Sequence, residues 1–133
     1  MKQVNKWLSI ADTALSTAHI VNANGKIKEI FKGYISSFGA MVIQNGLPAA
    51  LAINLKSDTD EGKLRKKIIE AIAEILKNSG MIQYAMIDAN KLLEDSCIKA
   101  NIANPREIRL LKADVIDASI ALKLMMRTYE FVE

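Results

Sequence analysis

Two Asn-Gly pairs, Asn24-Gly25 and Asn45-Gly46, bracket a run in which Ile27, Ile30, Phe31, Tyr34, Ile35, Phe38, Met41 and Val42 recur at three- and four-residue intervals. That is the strongest apolar stripe in the chain. It predicts a helix from about Lys26 to Asn45 with one whole face to bury, and a helix face of that kind is stable only against other elements.

The same spacing recurs along most of the sequence. Val4, Trp7, Leu8, Ala11, Ala14, Leu15, Ala18 and Val21 predict a first helix from about Lys2 to Ala23, ended by Asn24-Gly25 because those residues accept a left-handed backbone. Pro48 suits the first turn of a short apolar third helix running through Ala49 to Leu55. Lys56 to Gly62 is polar and reads as an exposed loop. A fourth helix is expected from about Lys63 to Asn78 and a fifth from about Ile82 to Ala100. Asn104-Pro105-Arg106-Glu107 reads as the start of a sixth, with Asn104 as cap and Glu107 closing a capping box. This last helix should reach about Phe131, roughly 40 Å. Its apolar arc is wide enough for it to be the central helix or to dock another chain.

No stretch shows sustained apolar-polar alternation, so the expected class is all-α, one bundle of about five to six helices forming a single domain over residues 1–133. A chain of this length buries roughly two-thirds of its unfolded surface, enough for one core. Apolar runs are broken by charge, Gly, Asn or Pro well short of the ~20 residues a membrane span needs, so no membrane partner is expected. The basic start leads into a segment holding Asp12, His19 and Asn22 and not into a secretory core, which makes the cytoplasm the expected location.

Groups able to do bond chemistry are few. One cysteine, Cys97, rules out a disulfide framework and reads as a buried or half-buried small residue. His19 reads as a helix-end histidine favoured by the helix dipole. Glu70 and Glu74 are i,i+4, but Lys66, Lys67 and Lys77 sit within pairing reach and suggest a solvated ion-pair face. Asp114 and Asp117 lack a third ligand, and Asp58, Asp60 and Glu61 do not match the twelve-position calcium loop. Gly33 and Gly39 are not followed by the Lys-Ser/Thr of a phosphate loop; small residues on a helix face point to close helix packing. No catalytic residue, metal site or cofactor is expected, and the chain does not read as an enzyme.

Basic residues remain. The net charge is +3, and the excess lies before Ser57, where Lys2, Lys6, Lys26, Lys28, Lys32 and Lys56 face only Asp12 and Glu29. Lys26, Lys28 and Lys32 cluster at the start of the second helix, Lys63, Arg65, Lys66 and Lys67 at the start of the fourth, and Arg106, Arg109 and Lys112 at the start of the sixth. Cations there oppose the helix dipole, so an outside anion would relieve the conflict. With Phe31, Tyr34 and Phe38 on a core-facing stripe, only Tyr84, Tyr129 and Phe131 are left as exposed aromatics. A base-stacking platform is not expected; any nucleic-acid contact should run through the phosphate-sugar backbone and be steeply salt-dependent.

The run from Tyr34 to Lys56, a helix ending in Asn45-Gly46-Leu47 followed by a short apolar helix that opens at Pro48 and closes on Lys56, resembles the small helical Cmr subunit family of type III-B CRISPR RNA-guided effector complexes. Leu122-Lys123-Leu124-Met125-Met126-Arg127 is similar to that family's closing run, with Leu124 where tryptophan is common and Met126 where lysine is common. The resemblance implies a non-catalytic structural subunit. Several copies would stack head to tail beside the large backbone subunit that holds the guide RNA, lining the channel where target RNA pairs, in antiviral defence. Its implied partners are other Cmr subunits, copies of itself, guide RNA and target RNA. On that reading Lys26, Lys28, Lys32, Lys63, Arg65, Lys66, Lys67, Arg106 and Arg109 are the RNA-binding candidates. The alternative is a helical adaptor or homodimeric regulator unrelated to RNA, using the wide face of the last helix.

Overall fold

The computed structural model describes residues 3–56 and 58–133. Six α-helices run in the order α1 (Val4–Thr17), α2 (Ile30–Asn45), α3 (Leu47–Leu55), α4 (Asp60–Lys77), α5 (Ala89–Ala100) and α6 (Arg106–Met126). Two short strands, β1 (Ile27–Lys28) and β2 (Phe131–Val132), pair in parallel, with Ile27 opposite Phe131 and Lys28 opposite Val132. The all-α expectation holds apart from this clip.

α6 is the central helix. It packs against α1, α2, α4 and α5, burying Leu111, Val115, Ala118, Ala121, Leu122 and Met126. Around it the core closes with Trp7, Leu15, Phe31, Phe38, Leu51, Ile68, Ile72 and Ile75, all almost fully buried.

Several helix boundaries differ from expectation for identifiable reasons. The expected start of the first helix at Lys2 lies outside the described residues. That helix ends at Thr17 and not near Ala23, because His19 adopts a left-handed backbone (φ 59). The His19 amide donates to the Ser16 carbonyl (3.1 Å) and the Ile20 amide to the Leu15 carbonyl (2.9 Å), the paired bonds of a Schellman stop. Asn24-Gly25 instead forms a turn held by Asn22 Oδ1, which accepts from the amides of Asn24 (2.9 Å) and Lys26 (3.0 Å).

Ile27 and Lys28 are drawn out of the expected second helix by pairing with β2: the Ile27 amide donates to the carbonyl of Glu130, just before that strand (3.0 Å), and the Glu29 amide to the Val132 carbonyl within it (2.7 Å). The same pairing stops the last helix at Met126, making α6 roughly 30 Å long. α4 starts three residues earlier than expected, at Asp60. Thr59 Oγ1 accepts from the Gly62 amide (3.0 Å), and Asp60 and Glu61 in the first turn favour the dipole, so Asp60 to Gly62 is helix and not loop. Ser57 of that expected loop lies outside the described residues. The fifth helix begins only at Ala89, where Asp88 Oδ1 caps the Lys91 amide (2.8 Å); Ile82–Tyr84 is a separate 3-10 turn. At α6 Asn104 Oδ1 accepts from the Arg106 amide (3.0 Å), while Glu107 reaches Lys99 (3.5 Å) and closes no capping box.

Candidate nucleic-acid interface

The nine basic residues singled out by the sequence are distributed over residues 26–32, α4 and the start of α6. Arg106 and Arg109 are exposed at the start of α6. Lys123 at its other end is fourteen residues on from Arg109, roughly 20 Å along the axis. Lys66 and Lys67 are half-buried on α4, and Lys67 Nζ donates to the His19 carbonyl at 3.4 Å, closing the end of α1. Lys63 is exposed. The capped, acidic first turn of α4 precedes this cluster, so the expected conflict between its cations and the helix dipole is largely relieved within the chain.

Lys26 pairs with Glu130 at 3.5 Å, and Arg65 Nη2 pairs with Glu61 at 3.0 Å. Lys28 and Arg65, far apart in sequence, line one groove at the first turn of α2. Lys32 is different. Its ammonium lies 4.7 Å from the centroid of the Phe131 ring, and it lines a cleft of about 100 Å³ with Lys123, Arg127, Ser36 and Phe131. Among the described residues no carboxylate lines this cleft. Lys123 and Arg127 are not among the sequence-based RNA candidates because they lie about ninety residues from Lys32, Lys123 in the last turn of α6 and Arg127 just after it, and not at a helix start. Their i,i+4 spacing was the available signal.

All three aromatic residues expected to be exposed, Tyr84, Tyr129 and Phe131, are less exposed than that. Tyr84, expected to be exposed, is buried and donates to Asp114 Oδ2 at 2.6 Å. Tyr129 and Phe131 are half-buried, with the Tyr129 hydroxyl donating to Asp12 Oδ1. Phe31, Tyr34 and Phe38 are buried as expected. Among the described residues no aromatic side chain is exposed for stacking.

Titratable groups serve the fold. Burial drives the Tyr84 hydroxyl far above its ordinary pKa, and Asp114 adds to the effect. Asp114 is itself raised by burial; the bond from Tyr84 opposes this and the nearby Asp117 charge adds to it. The bond to Asp12 raises Tyr129, with burial adding. Asp117 Oδ2 accepts from the Gln3 amide at 3.2 Å, tying the start of α1 to α6. Glu74 takes Asn78 (2.9 Å) in place of the expected Lys77. Cys97 is exposed, contrary to expectation; its neighbour Ser96 turns inward, bonding the Leu93 carbonyl at 2.8 Å. No group of three His, Cys, Asp or Glu among the described residues is placed to hold a metal ion.

The family model for CRISPR-associated protein (Cas_Cmr5) matches residues 6–126. The chain belongs to the Cas_Cmr5 family. No curated protein and no solved structure matches it significantly. The stretch shared with Cas_Cmr5 runs from α1 to the last residue of α6, so Lys32 and Lys123 fall inside it, whereas Arg127, Phe131 and the strand β2 lie just beyond. No helix among the described residues is long and apolar enough to cross a membrane.

Proposed function

We propose that the chain is a non-catalytic structural subunit of a type III-B Cmr complex, stacked in several copies along the guide and target RNA channel and contacting RNA through its phosphates. The observation that carries this reading is the Cas_Cmr5 match across residues 6–126. Serial repetition converts weak contacts into avidity, so no single copy needs a dense basic stripe. A contact between unlike faces of neighbouring copies can repeat without closing.

The carboxylate-free cleft of Lys32, Lys123 and Arg127 is the leading RNA contact. Lys28, Lys63, Arg106 and Arg109 are exposed and follow it. Lys26 and Arg65 already hold carboxylates, while Lys66 and Lys67 are half-buried, so their contributions are smaller.

Charge reversal of Lys32, Lys123 and Arg127 in the assembled complex tests the assignment. Target-RNA binding should weaken and its dependence on salt should flatten by about one unit of log-log slope per lost contact. An unchanged slope removes the cleft from the RNA path.

The adaptor or homodimer reading draws on the wide face of the last helix, but α6 buries most of that face against four other helices, so this reading needs other exposed apolar residues. Ile82 and Met86, 90% and 81% exposed, stand on the segment between α4 and α5. Light scattering with nucleic-acid retention separates the readings: a tight dimer indifferent to RNA supports the adaptor.

A further inference from the structure

At the first turn of α2 an open groove of about 690 Å³ runs between α2, α4 and the C-terminal Glu133. Its lining includes Tyr34, which is only 5% exposed yet has a hydroxyl with no hydrogen-bond partner among the described residues. Arg65 lies over the Tyr34 ring, its guanidinium carbon 4.5 Å from the centroid, and Arg65 Nη1 is likewise buried and unpartnered. Buried polar groups are ordinarily satisfied, so two adjacent donors without an acceptor mark a place where one is missing. Burial holds the Tyr34 hydroxyl above its ordinary pKa, so it remains a donor.

The surroundings define the acceptor. Lys28 and Arg65 are balanced in the lining by Glu29 and Glu133, and Glu61 holds Arg65 Nε at 3.0 Å. A groove of balanced charge gives a phosphate little advantage over an uncharged oxygen. Ile30 and Leu64 supply apolar wall. Gly33 lines it too, and a Cβ there would meet nothing within 4 Å, so packing inside the chain does not require this helix-interior glycine. Glycine weakens a helix relative to alanine, and close approach from outside is the use that remains for it.

We infer that this groove is a protein-docking pocket, whose occupant brings an uncharged main-chain carbonyl beside an apolar side chain and lays the carbonyl oxygen against Tyr34 Oη and Arg65 Nη1. The occupant reaches the donors by displacing the Arg65 head, whose side chain is 22% exposed. Tyr and Arg, buried at the centre of a mixed-charge rim, are the residue types that dominate binding at protein interfaces. The inference rests on the reading that the chain works inside a multisubunit assembly.

The test places photoreactive p-benzoylphenylalanine at Ile30 in the assembled complex and identifies what it captures. A cross-link to a defined segment of a neighbouring polypeptide, lost with Gly33→Met, is expected. Gly33→Met should keep or raise its Tm, since it removes a helix-interior glycine, and lower incorporation about tenfold. Tyr34→Phe should keep or raise Tm, since it removes an unsatisfied hydroxyl, yet lower incorporation several-fold. A cross-link to RNA, no cross-link, or normal incorporation of both variants overturns the inference. A polypeptide cross-link in a particle without guide RNA would sink the RNA-complex reading and leave the pocket standing.

Discussion

The Lys32 ammonium stands 4.7 Å from the centre of the Phe131 ring, joining the first turn of α2 to the strand that follows α6. Phe131→Ala should therefore act twice. It removes an aromatic cation contact and the half-buried wedge of β2, costing about 1–2 kcal/mol by urea unfolding. It also releases Lys32 from its place beside Lys123 and Arg127, so RNA binding by the complex should fall as well. A variant that loses stability with unchanged RNA binding would show that the strand does not position the lysine.

His19 occupies a left-handed backbone at the end of α1 without the freedom of glycine. His19→Gly should stabilise the fold by about 0.5–1 kcal/mol, and His19→Val should destabilise it by more, because a β-branched side chain resists that conformation. Thermal unfolding of both variants checks the sign of each change.

Asp114 gives a pH signature. Its folded pKa lies above the ordinary 3.8, chiefly through burial, so between those values the native state holds more of this proton than the unfolded chain does. The stability contributed by this group is full below about 3.8 and is lost as pH rises through the folded value. Asp114→Asn should keep an oxygen for Tyr84 to donate to while removing that slope. The stability difference between wild type and variant should therefore shift in the variant's favour as pH rises from 4 to 7. A difference independent of pH contradicts the role given to burial.

Thr59 caps α4 through the Gly62 amide. Thr59→Ala should cost about 1 kcal/mol. Hydrogen exchange should quicken in the first turn of α4, Asp60 to Lys63, and stay unchanged in α6. Loss of protection across the whole molecule would show that the cap sets global rather than local stability.

The sequence was most informative where periodicity and burial coincide. The stripe of Phe31, Tyr34, Ile35, Phe38 and Val42 is the buried face of α2, and the wide arc of the last helix belongs to a central helix with neighbours on several sides. Boundaries failed where one side chain or a distant strand outweighed propensity. His19 stopped α1 before Asn24-Gly25 could, Thr59 and Asp88 moved the starts of α4 and α5, and β2, more than a hundred residues away, straightened Ile27 and Lys28. The basic residues were legible singly and not as a set. Lys32 joins Lys123 and Arg127 only through the tertiary pairing of α2, α6 and β2. The unpartnered Tyr34 hydroxyl was hidden for the same reason, since the helical stripe explains the ring and says nothing of the oxygen.

The composition of the particle that a tagged copy of this chain enters in its native host bears most directly on the whole account, and native mass spectrometry with sequencing of any bound RNA reads it. Several copies of the chain, other Cmr subunits and short guide RNAs in one particle is the predicted result. A solitary monomer, or a homodimer free of RNA, would contradict it.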